Sequence, residues 1–134
     1  MVFLYIHMPS YRDLKAWQHA MNLAVECGKA AKQLPKEEQQ ALAEQLRRAA
    51  HSVPLNIAEG TARKGAREFR RFLDTAWGSL CEVQTALEIA RQMGYLREEE
   101  YQRLDAVAAE TGRTLWGLLR KINRAASPTP SLSN

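Results

Sequence analysis

The sequence has few of the residues that bind metal ions or cross-link a chain. Its 134 residues include two cysteines and three histidines. Cys27 and Cys81 stand alone without CxxC spacing, and His7, His19 and His51 lack the spacing of metal ligands. We therefore expect no metal site and no cofactor, and we expect both cysteines to be buried, reduced thiols.

Long apolar runs are also missing. No stretch of the sequence approaches the roughly 20 apolar residues that a membrane-spanning helix needs. The apolar run at residues 2–6 is too short for the core of a secretion signal, and no basic residue precedes it. We therefore expect a cytoplasmic protein. Residues 1–10 are interpreted as an N-terminal arm, which is either flexible or packed on a neighbouring molecule.

The residues that are abundant predict a single helical domain. Hydrophobic residues make up 46% and charged residues 25% of the chain, which is ordinary for a globular protein that buries one core. Apolar residues recur at steps of three and four in four segments, which begin near residues 10, 35, 65 and 97. Short connections between these segments predict an all-α, up-down-up-down four-helix bundle over residues 11–124. The composition of residues 125–134 predicts a disordered tail.

Residues 46–60 combine features that helix stability alone does not explain. Pro54 lies inside the helical pattern, where proline costs about 3 kcal/mol. We therefore expect the second helix to bend or break near Pro54 and to end with Gly60 as its C-cap. An apolar row on this segment is expected in the core, and consists of Leu42, Leu46, Ala49, Val53 and Ile57.

A polar row runs beside that apolar row and consists of Gln45, Arg48, Ser52, Asn56 and Glu59. We interpret it as a hydrogen-bonded seam between helices, in which Arg48 and Glu59 satisfy buried partners, in preference to a catalytic site. Leu55 points to the opposite side of the helix. It is either an isolated surface leucine or a subunit contact.

The same segment carries a family resemblance. Residues 45–60, QLRRAAHSVPLNIAEG, resemble the signature of a small bacterial four-helix-bundle family. That family contains the 23S ribosomal RNA intervening-sequence proteins, with accessory proteins of diversity-generating retroelements as remote relatives. The likeness continues through Glu68-Phe69-x-x-Phe72-Leu73, Ala76-x-Gly78-Ser79-Leu80-x-Glu82 and Gly94-Tyr95-Leu96, so it covers about residues 11–123.

The resemblance implies more than a fold. It marks Ser52, Pro54, Asn56, Glu59 and Gly60 as a structural motif, and it implies a homopentamer with the bundles arranged in a ring-like barrel. Glycine at residue 65 and Glu68 occupy the places of a capping box at the start of the third helix, although relatives usually have serine or threonine at the cap. Gly78 and Ser79 are expected to let a neighbouring helix come close, and Gly94 to end the third helix.

Positive charge is concentrated in one part of the chain. The net charge is +4, and between residues 47 and 71 two carboxylates, Glu59 and Glu68, face seven cations. Five of the cations surround the first turns of the third helix, where they oppose the helix dipole. Arginine and free helix N–H groups favour phosphate binding. We interpret the cluster as a nucleic-acid contact formed by Arg47, Arg48, His51, Arg63, Lys64, Arg67, Arg70 and Arg71. The alternative is a solvated face with local pairs, such as Arg67 or Arg71 with Glu68.

These observations lead to a functional hypothesis. We expect a non-enzymatic, homo-oligomeric protein that binds RNA or DNA through backbone phosphates. The resemblance adds an accessory role beside a reverse transcriptase, or an association with ribosomal RNA intervening sequences. The alternative is a protein-interaction scaffold whose basic surface docks an acidic partner. An enzyme is disfavoured, because no nucleophile–base or paired-carboxylate arrangement is recognisable.

Overall fold

The computed structural model describes residues 10–126, which form four α-helices and two 3₁₀ turns. The helices are α1 (Lys15–Lys32), α2 (Leu42–Thr61), α3 (Ala66–Gln92) and α4 (Glu98–Ala126), and the 3₁₀ turns are Tyr11–Asp13 and Lys36–Glu38. Each helix packs against the preceding and following helix, and α1 also packs against α4. This arrangement confirms the predicted all-α, up-down-up-down bundle.

The predicted arm and tail lie almost entirely outside the described residues, which exclude 1–9 and 127–134. Helix α4 extends to Ala126, so its last two residues enter the segment that was predicted to be a tail. No helix within residues 10–126 has an apolar stretch long enough to cross a bilayer.

The core lies along the common axis of the four helices. The predicted apolar row of α2 is confirmed, since all five of its residues are buried. Leu23, Leu80 and Leu115 contribute from the other three helices and are also fully buried. Many of the remaining core residues are alanines, which allow the helix backbones to approach closely.

Helix α1 uses its two apolar rows differently from one another. The core row consists of Ala16, Ala20, Leu23, Cys27, Ala30 and Leu34, all buried. The other row lies at the margin of the core, so Trp17 is half-buried and Met21 is exposed. Helix α1 therefore has one apolar row in the core and a second row that is partly exposed.

The first two helices begin later than predicted. A 3₁₀ turn precedes α1, and Leu14 is the extended residue between them. Helix α2 starts at Leu42, because the chain after Pro35 first forms a separate 3₁₀ turn. The side-chain amide of Gln39 then donates 2.9 Å hydrogen bonds to the carbonyl oxygens of Ala31 and Leu34. These bonds satisfy carbonyl oxygens at the C-terminal end of α1.

At Pro54 a bend or a break was predicted and the break is wrong, and the C-cap predicted at Gly60 is wrong as well. The helix is not broken at Pro54, which is buried within a continuous helical segment. Gly60 is not the C-cap, because the helix continues to Thr61 and Ala62 is the cap residue. A Cβ atom at Gly60 would lie 2.8 Å from Cδ1 of Phe69 and 3.1 Å from Cβ of Phe72. Gly60 therefore allows α2 and α3 to pack closely at this point, because it has no side chain.

The ends of α3 are only partly as predicted. Gly65 adopts φ +86°, a left-handed conformation that favours glycine, and it provides no side-chain cap. The predicted capping box is therefore wrong, and Glu68 instead accepts a hydrogen bond from Arg71. Gly94, with φ +78°, follows the last turn as predicted. The expectation that Gly78 faces a neighbouring helix is wrong within this chain, because a Cβ atom there would meet nothing within 4 Å.

The two cysteines differ in exposure. Cys27 is buried in the core as predicted, and burial raises the pKa of its thiol to about 12. Cys81 is exposed, so the prediction that it is buried is wrong. It lies on the outer face of α3, where the apolar period does not place core residues.

Candidate nucleic-acid interface

The antiparallel topology gathers cations at one end of the bundle. This end contains the N-terminus of α1, the α2–α3 connection, the first turns of α3 and the last turns of α4. We call it the basic end. Its four carboxylates are Asp13, Glu59, Glu68 and Asp74. Its ten cations are Arg12, Lys15, Arg63, Lys64, Arg67, Arg70, Arg71, Arg120, Lys121 and Arg124.

Five of the predicted site residues do lie together at the basic end. They are Arg63, Lys64, Arg67, Arg70 and Arg71, which the α2–α3 connection and the first turns of α3 present to solvent. The guanidinium of Arg63 also lies 4.7 Å from the ring centroid of Phe72, so that ring supports the side chain from below. These five of the eight predicted residues therefore lie exposed around the α2–α3 connection.

Carboxylates of the same chain partly neutralise this cluster. Arg63 pairs with Glu59 at 2.6 Å, Arg71 with Glu68 at 3.2 Å, and Arg70 with Asp74 at 3.6 Å. The pair of Arg71 with Glu68 is a local pair of the kind that the alternative interpretation of the sequence predicts. All three are exposed pairs within one turn, and such pairs contribute only about 0–1 kcal/mol. A phosphate group can therefore compete for these arginines.

The other cations at the basic end are less neutralised. Lys64 and Arg67 form no ion pair among residues 10–126, and the same holds for Arg120, Lys121 and Arg124. The cluster therefore keeps a positive excess after its internal pairs are counted.

Helix α4 contributes three cations that the sequence reasoning missed. Trp116 of α4 lies beside Trp77 of α3, and Gly112 of α4 lies beside Leu80. The same antiparallel register places residues 120–124 of α4 level with the first turns of α3. The signal was the run RKINR at residues 120–124, which by itself reads as the ordinary basic last turn of a helix.

Three predicted site residues lie elsewhere. Arg47 and Arg48 are about 20 Å from the C-terminus of α2, measured along the helix axis. Arg47 donates a 2.8 Å hydrogen bond to the carbonyl oxygen of Gln39, and Arg48 pairs with Glu44. His51 lies beside an apolar groove between α1 and α2. The structure therefore does not bring these three residues to the basic end.

The polar row of α2 forms a smaller network than predicted. The Ser79 hydroxyl donates a 2.7 Å hydrogen bond to Ser52 Oγ, and the Asn56 amide donates to the Ser52 hydroxyl and carbonyl oxygens. This confirms an interhelical seam. The prediction that Arg48 and Glu59 have buried partners is wrong, since both are exposed and pair with neighbours on α2 or its connection. Ser52 and Asn56 of the predicted structural motif therefore do have a structural role, because they form the hydrogen-bonded seam.

Potential metal ligands are dispersed in the described part of the chain. No group of three or more histidine, cysteine, aspartate or glutamate residues within residues 10–126 is placed to hold a metal ion. No buried side-chain nitrogen or oxygen atom in that range lacks a hydrogen-bond partner. The polar groups of the core are thus satisfied by the fold itself.

A second surface feature is the apolar groove between α1 and α2. It has a volume of about 480 Å³ and is lined by Tyr11, Trp17, Met21, Ala24, Val25, His51, Pro54, Leu55 and Ala58. Leu55 is 65% exposed, which confirms that it points outward. The open apolar row of α1 forms the opposite wall of this groove.

Comparisons with known proteins agree with the geometry of the bundle. A crystal structure from Bacteroides thetaiotaomicron, of a protein with unknown function from the S23 ribosomal protein family, is similar with a TM-score of 0.72. The two chains are 21% identical, and the match covers 78% of this chain and 98% of that one. No curated protein matches the chain. The family described as 23S rRNA-intervening sequence protein matches residues 12–117. The chain belongs to this family.

Proposed function

We propose that the protein is a non-enzymatic, cytoplasmic homo-oligomer that binds nucleic acid, preferentially RNA, through the basic end of its bundle. The observation that carries this proposal is the excess of cations at that end, ten against four carboxylates. Exposed arginines on the first 3₁₀ turn, the α2–α3 connection, α3 and α4 present guanidinium groups that match phosphate oxygens bidentately. Membership in a family named for a ribosomal RNA insertion supports RNA as the ligand.

Binding of this kind would rest on backbone phosphates. The cations surround the first turns of α3, whose unpaired N–H groups also favour anions. No helix at the basic end carries a known base-reading motif, so sequence preference would be small. The same chemistry would serve an accessory factor to a reverse transcriptase, whose RNA could be held at this surface.

Assembly would strengthen such a site. The apolar groove of α1 and α2 carries the exposed side chains of Met21, Val25 and Leu55, and its opening suits a second copy of the chain. A ring-like homopentamer would repeat the basic end around an axis. Several weak phosphate sites on one assembly bind a polymer far more tightly than one site does.

The test is the salt dependence of RNA binding. If about six phosphates are neutralised on a single strand, log K falls against log salt concentration with a slope near −4. Replacing Arg67, Arg70 and Arg71 by alanine is expected to weaken RNA binding and to reduce that slope. Fluorescence anisotropy with a labelled RNA over a range of salt concentrations measures both quantities.

A charge-matched control lies at the opposite end of the bundle. Lys32, Lys36 and Arg97 are exposed and form no ion pair among residues 10–126, so their replacement by alanine removes the same charge elsewhere. The control variant is expected to retain most of the affinity. Equal losses in both triple variants would indicate attraction by net charge alone. Unchanged affinity in the Arg67, Arg70 and Arg71 variant would remove the proposed site.

A further inference from the structure

Trp116 stands out among the aromatic residues at the surface. Its side chain is 52% exposed, whereas every other tryptophan, tyrosine and phenylalanine within residues 10–126 is at least half-buried. Its ring centroid lies 5.6 Å from that of Trp77, with the ring planes tilted by 50°. Trp77 is half-buried and packs against the core. Trp116 is thus held from one side and open to solvent on the other.

Arginines flank this ring along α4. At 100° per residue, Arg113, Arg120 and Arg124 lie within about 80° of Trp116 on the helix surface, on the side away from the core. All three are exposed, and only Arg113 is paired, with Glu110. An aromatic ring in the middle of a basic stripe is the arrangement that stacks a base while neighbouring cations bind phosphates.

Helix α3 supplies the second wall of the same surface. Arg70 lies two turns before Trp77 and within about 20° of it on the helix surface, and it pairs with the exposed Asp74 at 3.6 Å. Arg67 lies about three turns before Trp77, also towards the basic end, but about 80° further round the helix and away from the core. Both arginines are exposed. The groove between α3 and α4 therefore carries the Trp77–Trp116 pair, and exposed arginines of both helices lie beside it and towards the basic end.

The charges favour a polyanion over a second protein chain as the occupant. Centres of protein interfaces are depleted of charged residues, and two copies meeting here would bring like charges together. The apolar groove between α1 and α2, on the opposite side of the bundle, is the surface suited to a second copy. A duplex keeps its bases stacked inside, so an exposed indole can reach a base only on a single strand or in a loop.

We propose that Trp116 stacks on an unpaired base of single-stranded nucleic acid, whose phosphates are bound by the arginines of the α3–α4 groove. This inference rests on the proposed function and gives it a substrate class. It predicts a preference for single strands and loops over a duplex of equal length. It also extends the site from the α2–α3 connection towards the middle of the bundle.

The experiment compares the binding of two labelled RNAs, a single-stranded 12-nucleotide oligouridylate and a 12-base-pair duplex, by fluorescence anisotropy. Replacing Trp116 by alanine is expected to weaken binding of the single strand about tenfold and to leave duplex binding unchanged. Trp116→Phe keeps a ring and is expected to retain most of the affinity. The salt slope should stay the same in both variants, because neither removes a charge.

Control measurements distinguish a loss of base stacking from a loss of the fold and from a change in subunit number. Met93→Ala removes a comparably exposed apolar side chain at the opposite end, and is expected to change neither affinity. Circular dichroism and light scattering verify the fold and the mass of each variant. The inference is overturned if Trp116→Ala weakens both probes equally, leaves single-strand affinity unchanged, or alters the subunit number without altering RNA binding.

The two proposals fail in different ways. If the Arg67, Arg70 and Arg71 variant loses affinity while Trp116→Ala does not, the basic end binds nucleic acid without a stacked base. If the unaltered protein binds neither probe, the proposed function fails and the stacking site fails with it.

Discussion

The hydroxyl of Ser79 donates a hydrogen bond to the hydroxyl of Ser52, which joins the middle of α3 to the middle of α2 at an Oγ–Oγ distance of 2.7 Å. The Ser52 hydroxyl also accepts a bond from the amide of Asn56. Ser79 is buried, whereas Ser52 is half-buried. The Ser79 hydroxyl therefore bonds to Ser52, whereas the Ser52 hydroxyl bonds to both Ser79 and Asn56.

We expect Ser52→Ala to destabilise the fold more than Ser79→Ala. Ser52→Ala leaves the buried Ser79 hydroxyl without its partner, which costs about 1–3 kcal/mol. Ser79→Ala removes one bond and costs about 0.5–1.5 kcal/mol, because the Ser52 hydroxyl keeps Asn56. Urea unfolding of both variants and of the double variant measures these free energies of unfolding and their coupling.

A matched control for the serine variants is Thr85→Ala. Its hydroxyl is exposed and donates to the carbonyl oxygen of Cys81 within the same helix, so the loss should stay within about 0.5 kcal/mol. Strictly additive effects of the two serine substitutions would show that the hydroxyl pair does not couple α2 to α3.

Gly60 and Gly78 should respond in opposite directions to replacement by alanine. A methyl group at Gly60 would press on Phe69 and Phe72, and overpacking of this kind costs about 1–3 kcal/mol. The better helix propensity of alanine offsets about 1 kcal/mol of that loss. At Gly78 the space is open, so Gly78→Ala should stabilise the protein by up to about 1 kcal/mol.

Thermal and urea unfolding of the two glycine variants decide between these outcomes. Similar effects of both substitutions would indicate that the α2–α3 contact at Gly60 is not close. A loss of stability in Gly78→Ala would contradict the open surroundings of that residue.

The two cysteines should differ in reactivity with a thiol reagent such as dithionitrobenzoate. Cys81 is exposed, whereas Cys27 is buried and its thiol pKa is raised to about 12. At pH 8, one thiol per chain should react rapidly in the native protein and two in denaturant. Cys81→Ser should abolish the rapid reaction. A rapid reaction that persists in that variant would show that the core opens around Cys27.

Much of the fold could be predicted from local patterns. The apolar row from Leu42 to Ile57 repeats with the period of a helix, and every residue of it is buried. An apolar row on one face of a helix is stabilised by packing that face against the core. The end of α3 at Gly94 was predictable for a similar reason, since a glycine with a left-handed backbone ends helices. The basic residues between Arg63 and Arg71 could also be found in the sequence, because they lie close together along the chain.

Other features could not be predicted without the positions of the neighbouring helices. On α1 two apolar rows compete for the core, and only the position of α2 and α4 decides that Met21 faces the groove while Leu23 is buried. Pro54 and Gly60 suggested a break and a cap, but the packing of α2 holds the helix through both residues. Cys81 illustrates the same limit, because its exposure depends on which side of α3 its partners cover.

The sequence by itself determined the helical class, the number of helices and the family, because periodicity, turn residues and a contiguous signature are all local properties of the chain. Tertiary structure alone decided which charges meet. It brought Arg120 and Arg124 to the first turns of α3 and left Arg47 and Arg48 near the other end. The physical reason is that antiparallel packing sets the register between helices, and register joins side chains that lie some 50 residues apart in the sequence.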